Sequence, residues 1–160
     1  MNGMRRYDLH MSEHVRSLDL GVIWDPNSPE AVLLCLDSRA ALSMGAGVTD
    51  QDRRNVVLTW ESVRHASIGS PNDETASGHP LWGKGLRDVL WAGAVEDSSL
   101  IASLNSIERT HSRHNSARFD GDIHYIVLSK EDTIEVVAKS VRVERFGGNT
   151  LDAAVEALRR

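Results

Sequence analysis

Apolar and polar positions alternate in several short stretches of this chain, and those stretches carry most of its predicted elements. Residues 18–25 (LDLGVIWD) and 30–37 (EAVLLCLD) are apolar runs joined by Pro26-Asn27-Ser28-Pro29. Two prolines with Asn and Ser read as a turn, so the runs are predicted to pair as antiparallel strands. Residues 40–49 hold small side chains and two glycines and read as a loop with one helical turn. From 55 to 68 (NVVLTWESVRHASI) the period is two. Val56, Leu58, Trp60 and Ser62 share one face and Val57, Thr59, Glu61 and Val63 the other, which suits one long bent strand or two shorter ones.

The C-terminal third is the clearest. Residues 123–129 and 133–138 flank the turn Lys130-Glu131-Asp132, and Val141 and Val143 alternate with Arg142 and Glu144 as a third strand of the same meander. Gly147-Gly148 ends it. Two helices follow from the 3.6-residue period. One spans about 98–108, with Asp97 or Ser98 as cap and Leu100, Ile101, Leu104 and Ile107 as its apolar stripe. The other spans about 150–159, with Asn149 or Thr150 as cap and Leu151, Ala154, Val155 and Leu158 as the stripe. A further strand is predicted at 89–96. Strands come mainly in hairpins rather than alternating with helices, which predicts a single α+β domain over 13–160 with a mainly antiparallel sheet. Residues 1–12 read as a flexible N-terminus.

Composition narrows the function classes. The chain has 160 residues, a formal charge of −5, seven histidines and one cysteine. A single cysteine excludes an intrachain disulfide framework and a multi-cysteine zinc module. Mild acidity argues against a nucleic-acid partner. No apolar run approaches the roughly 18 residues of a membrane span, and no apolar stretch follows Arg5-Arg6, so neither a membrane anchor nor a secretory signal is read. A cytoplasmic location is the expectation. Free edges on a small antiparallel sheet leave room for a homodimer.

Candidate chemistry gathers in two segments. The first, 69–91, lacks periodicity over its first twenty positions and contains Asp73, Glu74, His79, Trp82, Lys84 and Trp91. Long irregular segments in compact domains are often binding loops, and two of the four tryptophans lie here. Each part also has an ordinary reading: Ser70-Pro71-Asn72-Asp73 as a helix-turn start, Gly78-His79-Pro80-Leu81 as a loop corner, and Gly83-Lys84-Gly85 as a turn. The second segment is 108–119 (ERTHSRHNSARF), with His111 and His114 among Arg109, Arg113 and Arg118. Two imidazoles with a third group such as His79 could hold a divalent metal, although the H-E-x-x-H pattern is absent. The arginines favour an anion instead. Cys35 reads as a buried thiol in a strand, His65 and His124 as packed strand histidines, His10 and His14 as part of the mobile terminus, and Trp24 and Trp60 as core.

Ser70 to Glu74 (SPNDE), Gly78 to Leu81 (GHPL), Gly85-Leu86, His111-Ser112-Arg113-His114 and Arg118-Phe119 together resemble a group of small bacterial proteins. The likeness in order and spacing runs from about residue 55 to 138, with Asn115 standing where the group has Asp or a proline-containing stretch. The resemblance implies a bacterial origin and a candidate surface, but no reaction. Two functions are therefore weighed. The first is a binding or accessory protein contacting a protein partner or small anionic ligand through 69–91 and 108–119, with Trp82, Lys84, Arg109, Arg113 and Arg118 as contact residues. The alternative is a small enzyme with His79 and Asp73 or Glu74 as an acid–base pair, or a metal held by His79, His111 and His114.

Overall fold

The computed structural model describes residues 12–28 and 30–160. In chain order its strands are β1 (His14–Ser17), β2 (Ala31–Leu36), β3 (Arg39–Met44), β4 (Asn55–Glu61), β5 (His65–Gly69), β6 (Ala92–Glu96), β7 (Ile123–Leu128), β8 (Thr133–Ala138) and β9 (Ser140–Phe146). The helices are α1 (Ser99–Glu108) and α2 (Thr150–Arg159). The strands form two antiparallel sheets, in the orders β2-β3-β4-β9 and β1-β6-β7-β8-β5. The α+β class expected from the hairpin pattern is the class found.

Side-chain alternation explains the layers. Leu42, Val56, Leu58 and Trp60 of one sheet meet Tyr125, Val127, Ile134 and Val136 of the other in a core between the sheets. The opposite face of the four-stranded sheet carries Ala41, Val57 and Phe146, which α2 covers with Ala153, Ala154, Ala157 and Leu158. The opposite face of the five-stranded sheet carries Val15, Val95 and Ile126, and is covered by Leu81, Leu86 and Val89 of the 69–91 segment. That segment is therefore a packed layer, built from 3-10 turns at Ala76–Gly78, Trp82–Lys84 and Leu86–Asp88. Its close seat over β1 needs glycine at position 85: φ is +105°, and a Cβ there would stand 2.5 Å from the Val15 carbonyl oxygen.

Several expectations are corrected. Residues 18–25 do not pair with β2, whose partner is β3. The Asp19 carboxylate accepts the Gly21 N–H at 2.8 Å, and Gly21 has φ +69°, a local turn that breaks the strand and leaves only a bridge from Trp24 to Ala46. Residues 40–49 are not a loop, since β3 occupies the first of them. Ala40 and Ala41 are small enough to be buried between neighbours on both faces, and this packing overrides their weak strand preference. Cys35 is exposed on β2, where partial burial still pushes its thiol pKa up. On α2, Leu151 is exposed, and the buried stripe runs through Thr150, Ala153, Ala154, Ala157 and Leu158. Alanine lets the helix axis approach the sheet closely. On α1 the expected stripe is only half-buried, and Ile107 is 63% exposed. The expected flexible terminus and His10 lie outside the described residues, apart from Ser12, and His14 opens β1.

The meander also breaks after two strands. Ser62 takes a left-handed backbone (φ +55°), and the chain passes from β4 in one sheet to β5 in the other. Lys139 makes the matching change from β8 to β9, with its N–H donated to the Glu61 carbonyl at 3.1 Å. Two adjacent chains thus bend together and close one corner of the sandwich. A charged latch braces it. The Asp122 carboxylate, fully buried, pairs with Arg64 and lies 2.8 Å from Lys139 Nζ, close enough for an ion pair without hydrogen-bond geometry at Oδ1. Arg64 also stacks 4.3 Å from the Phe119 ring centroid and donates to the Arg118 carbonyl, so the turn Ser116–Phe119 is tied to the corner.

Among the described residues, no helix is long and apolar enough to cross a membrane.

Candidate functional site

The outward face of the five-stranded sheet is apolar except where β5, β7 and β8 meet. In the β7–β8 register Ile126 faces Glu135 and His124 faces Val137, so His124 and Glu135 are diagonal neighbours on that face. Ser67 of β5 faces Glu135 from the other side, and His65 lies one pleat away. The 69–91 segment lowers His79 onto the same spot. His65, His79, His124 and Glu135 floor an open cleft of about 810 Å³, walled by 70–81 on one side and the first turns of α1 on the other.

Hydrogen bonds fix the arrangement. His124 is buried, with Nε2 2.7 Å from Glu135 Oε2 and Nδ1 2.8 Å from Ser98 Oγ. An ionised Glu135 can only accept, so Nε2 donates to it, and with one proton on the ring Nδ1 is then the acceptor for the Ser98 hydroxyl. Ser98 Oγ in turn accepts the Ile101 N–H at 3.2 Å as the cap of α1. His79 accepts the Leu81 N–H on Nδ1 at 3.1 Å, which leaves Nε2 facing Glu135 Oε1 at 3.5 Å. Glu135 thus stands between two imidazoles with its side chain 27% exposed to the cleft. The His124 hydrogen bond holds its carboxyl below the usual glutamate range, against burial, which acts in the other direction.

At the cleft mouth Glu13 accepts from the Ser99 N–H and hydroxyl, each at 2.8 Å, and pairs with Lys84 at 2.8 Å. Burial raises the Glu13 pKa, but these hydrogen bonds outweigh it and the net shift is downward.

The lowered pKa of Glu135 has a definite sign for stability. A depressed carboxylate contributes stability that is fully present above the unfolded value, about 4.3, and is lost as pH falls through the lower folded value. Glu135→Gln is therefore expected to cost most near neutral pH and progressively less below about pH 4. Urea unfolding of both proteins at pH 7 and pH 3 measures this. An equal difference at the two pH values excludes the ionised network.

The sequence candidates separate in space. His79 belongs to the cleft. Asp73 and Glu74 are exposed outside it, with Asp73 3.6 Å from Lys130. Lys84 is engaged by Glu13. Trp82 borders a different hollow, with Trp91 and Arg87. Arg109, Arg113 and Arg118 are exposed beyond α1. His111 accepts the Arg113 N–H at 3.1 Å, and His114 lies 3.1 Å from the Ser116 hydroxyl. Among the described residues, no three His, Cys, Asp or Glu side chains are grouped to hold a metal ion, so His79, His111 and His114 are not gathered.

Glu135, His124 and Ser98 were not among the site candidates: the sequence places Glu135 and His124 in strands, His124 as a packed histidine, and offers Ser98 only as a helix cap. The signal present was polarity out of place: a His and a Glu at outward positions of two strands whose neighbours are apolar on both faces. No protein-family model matches this chain, and neither a curated protein nor a solved structure matches it.

Proposed function

We propose that the protein is a small-ligand-binding protein, and that its ligand enters the cleft and presents a cationic or hydroxyl donor group to Glu135. The observation that carries this reading is the Glu135 carboxylate held ionised between His124 and His79 on the cleft floor. The His124 N–H orients the carboxylate, His79 Nε2 stands 3.5 Å away, and the remaining lone pairs, open to the cleft, can only accept. An acid–base role for His79 is disfavoured by its own contacts, because Nδ1 is occupied by the Leu81 N–H and Nε2 faces Glu135. A pKa held low also suits a carboxylate anchor better than a general base, whose ideal value lies near the working pH.

Thermal unfolding with agmatine, a small amine and guanidinium probe, tests this, with citrate as the anionic control. Stabilisation should follow RT ln(1 + [L]/Kd) for agmatine and be lost in Glu135→Gln. No agmatine effect up to millimolar concentration, or an effect untouched by Glu135→Gln, sinks the cleft reading. A second reading, a small anion or acidic protein partner at 109–118, is supported by Arg109, Arg113 and Arg118, which are exposed and form no ion pair among the described residues. Citrate stabilisation abolished by Arg113→Ala would favour it.

A further inference from the structure

The first turns of α1 separate two cavities. Ser99, Leu100 and Ser103 face the cleft, whereas Ser98, Ile101 and Ala102 face a second groove of about 660 Å³. Much of this groove is apolar, with Leu18, Leu20, Ile101, Tyr125 and Val141 in its walls. Ser98 forms part of its lining although the residue is only 8% exposed. The local backbone accounts for its position. β6 ends at Glu96, Asp97 takes a left-handed conformation (φ +49°), and α1 begins at Ser99, so Ser98 occupies a strand–turn–helix corner. Such corners present a nucleophile at a cavity wall.

Hydrogen bonding shows which acid–base step is open. His79 Nδ1 accepts the Leu81 N–H and its Nε2 faces Glu135 at 3.5 Å with no hydroxyl beside it, and His124 Nε2 is committed to Glu135. His124 Nδ1 alone among these four nitrogens is partnered by a hydroxyl whose proton it can take. Nucleophile, base and orienting carboxylate therefore stand in one line, at 2.8 Å and 2.7 Å, which are the contacts a nucleophilic relay requires.

We infer that Ser98, His124 and Glu135 form such a relay and transfer acyl groups from small esters whose apolar acyl chain lies in the groove. Ser98 Oγ adds to the ester carbonyl carbon as its proton moves to His124 Nδ1. The tetrahedral adduct collapses with the C–O bond breaking, and the departing alkoxide takes that proton and leaves as the alcohol. Water then adds to the acyl–Ser98 ester, giving its proton to His124. Collapse returns the proton to Ser98 Oγ and releases the carboxylic acid. Glu135 is a positioning residue: it stays ionised throughout and stabilises the imidazolium. The positive end of α1, at Ser98, favours the negative charge developing on the adduct oxygen. The apolar walls select the acyl chain, and the relay does not depend on any ligand in the cleft.

An alkyl fluorophosphonate tests the relay without a known substrate, since Ser98 Oγ would form a bond to phosphorus as fluoride leaves and the proton passes through His124 to solvent. One adduct at Ser98 is expected, found by intact mass and peptide mapping. His124→Gln should slow labelling by about 100-fold or more. Glu135→Gln should lower the plateau rate and move the midpoint of the pH–rate profile to lower pH, because a neutral amide no longer favours the charged ring. Ser98→Asn keeps a helix-capping side chain, so it should still unfold in one cooperative transition and take no label. Folded wild-type protein that takes no label, an adduct that persists in Ser98→Asn, or a labelling rate indifferent to His124→Gln each overturns the inference. Agmatine stabilisation and fluorophosphonate labelling are separate readouts of the wild-type protein, so failure here and failure of the cleft reading are distinguishable.

Discussion

Asp122→Ala is expected to destabilise the protein by about 3–5 kcal/mol, because it removes the buried anion from between Arg64 and Lys139 and leaves Arg64 with only the half-exposed Glu108 at 3.6 Å. The Asp122 side chain has no exposure, and the Arg64 side chain only 15%. In the native protein the desolvation of Arg64 is offset by Asp122, by Glu108 at 3.6 Å, by the face of Phe119 and by the Arg118 carbonyl. Without the carboxylate, Arg64 and Lys139 face each other across a cavity at the corner where β4 enters β5 and β8 enters β9. Lys139→Met is the control. Its side chain is 34% exposed and Asp122 keeps Arg64, so the cost should be about 1 kcal/mol or less. Urea denaturation followed by tryptophan fluorescence gives both values. If Asp122→Ala costs no more than Lys139→Met, the latch does not hold the corner.

Trp60→Ala should cost a similar amount, about 3–5 kcal/mol, through cavity formation between the sheets. Trp60 has no exposed surface, and its ring lies 6.0 Å from that of Tyr125 at an interplanar angle of 60°. The sharper comparison is with Phe. Trp60 Nε1 has no hydrogen-bond partner among the described residues, so Trp60→Phe loses volume but also removes an unsatisfied buried donor. Trp24 is buried to the same degree, yet its Nε1 donates to the Leu128 carbonyl at 2.9 Å. Trp24→Phe leaves that acceptor unpaired and should cost about 1–3 kcal/mol more than Trp60→Phe. Melting curves of the three variants decide it. Equal costs for the two Phe variants would mean that shape, and not the hydrogen bond, determines the difference.

Both predictions concern contacts that the sequence pattern anticipated only in part. Trp24 and Trp60 were legible as core because each lies in an apolar run, and Trp60 alternates with polar neighbours at the correct period. Asp122 and Arg64 were not legible. A buried ion pair leaves no periodic trace, since its members lie 58 positions apart and only the sheet corner unites them. The candidate site divides in the same way. His79 stood out because it lies in an irregular segment rich in chemistry. Glu135 was visible as an outward strand position, but nothing local indicates that a packed 69–91 layer covers that face and leaves a cleft over this carboxylate. The arginines and histidines of 108–119 attracted attention by their density alone, and density on an exposed turn is compatible with solvation.

What the amino-acid sequence determined by itself is the set of local decisions: hairpin β7–β8, both helices with each cap narrowed to two neighbouring residues, and the α+β class that follows from strands arranged in hairpins. These depend on periodicity, capping oxygens and turn residues, which act over a few positions. Tertiary structure decided the rest. It divided the strands between two sheets at Ser62 and Lys139, made β3 of alanines that prefer other conformations, and turned the 69–91 segment from a loop into a layer. It also brought Ser98, His124 and Glu135 into one hydrogen-bonded set and placed His79 3.5 Å from the Glu135 carboxylate. Those outcomes depend on burial and on pairings between distant positions, where the free energy of excluding water from a whole face outweighs the weak preference of any single residue.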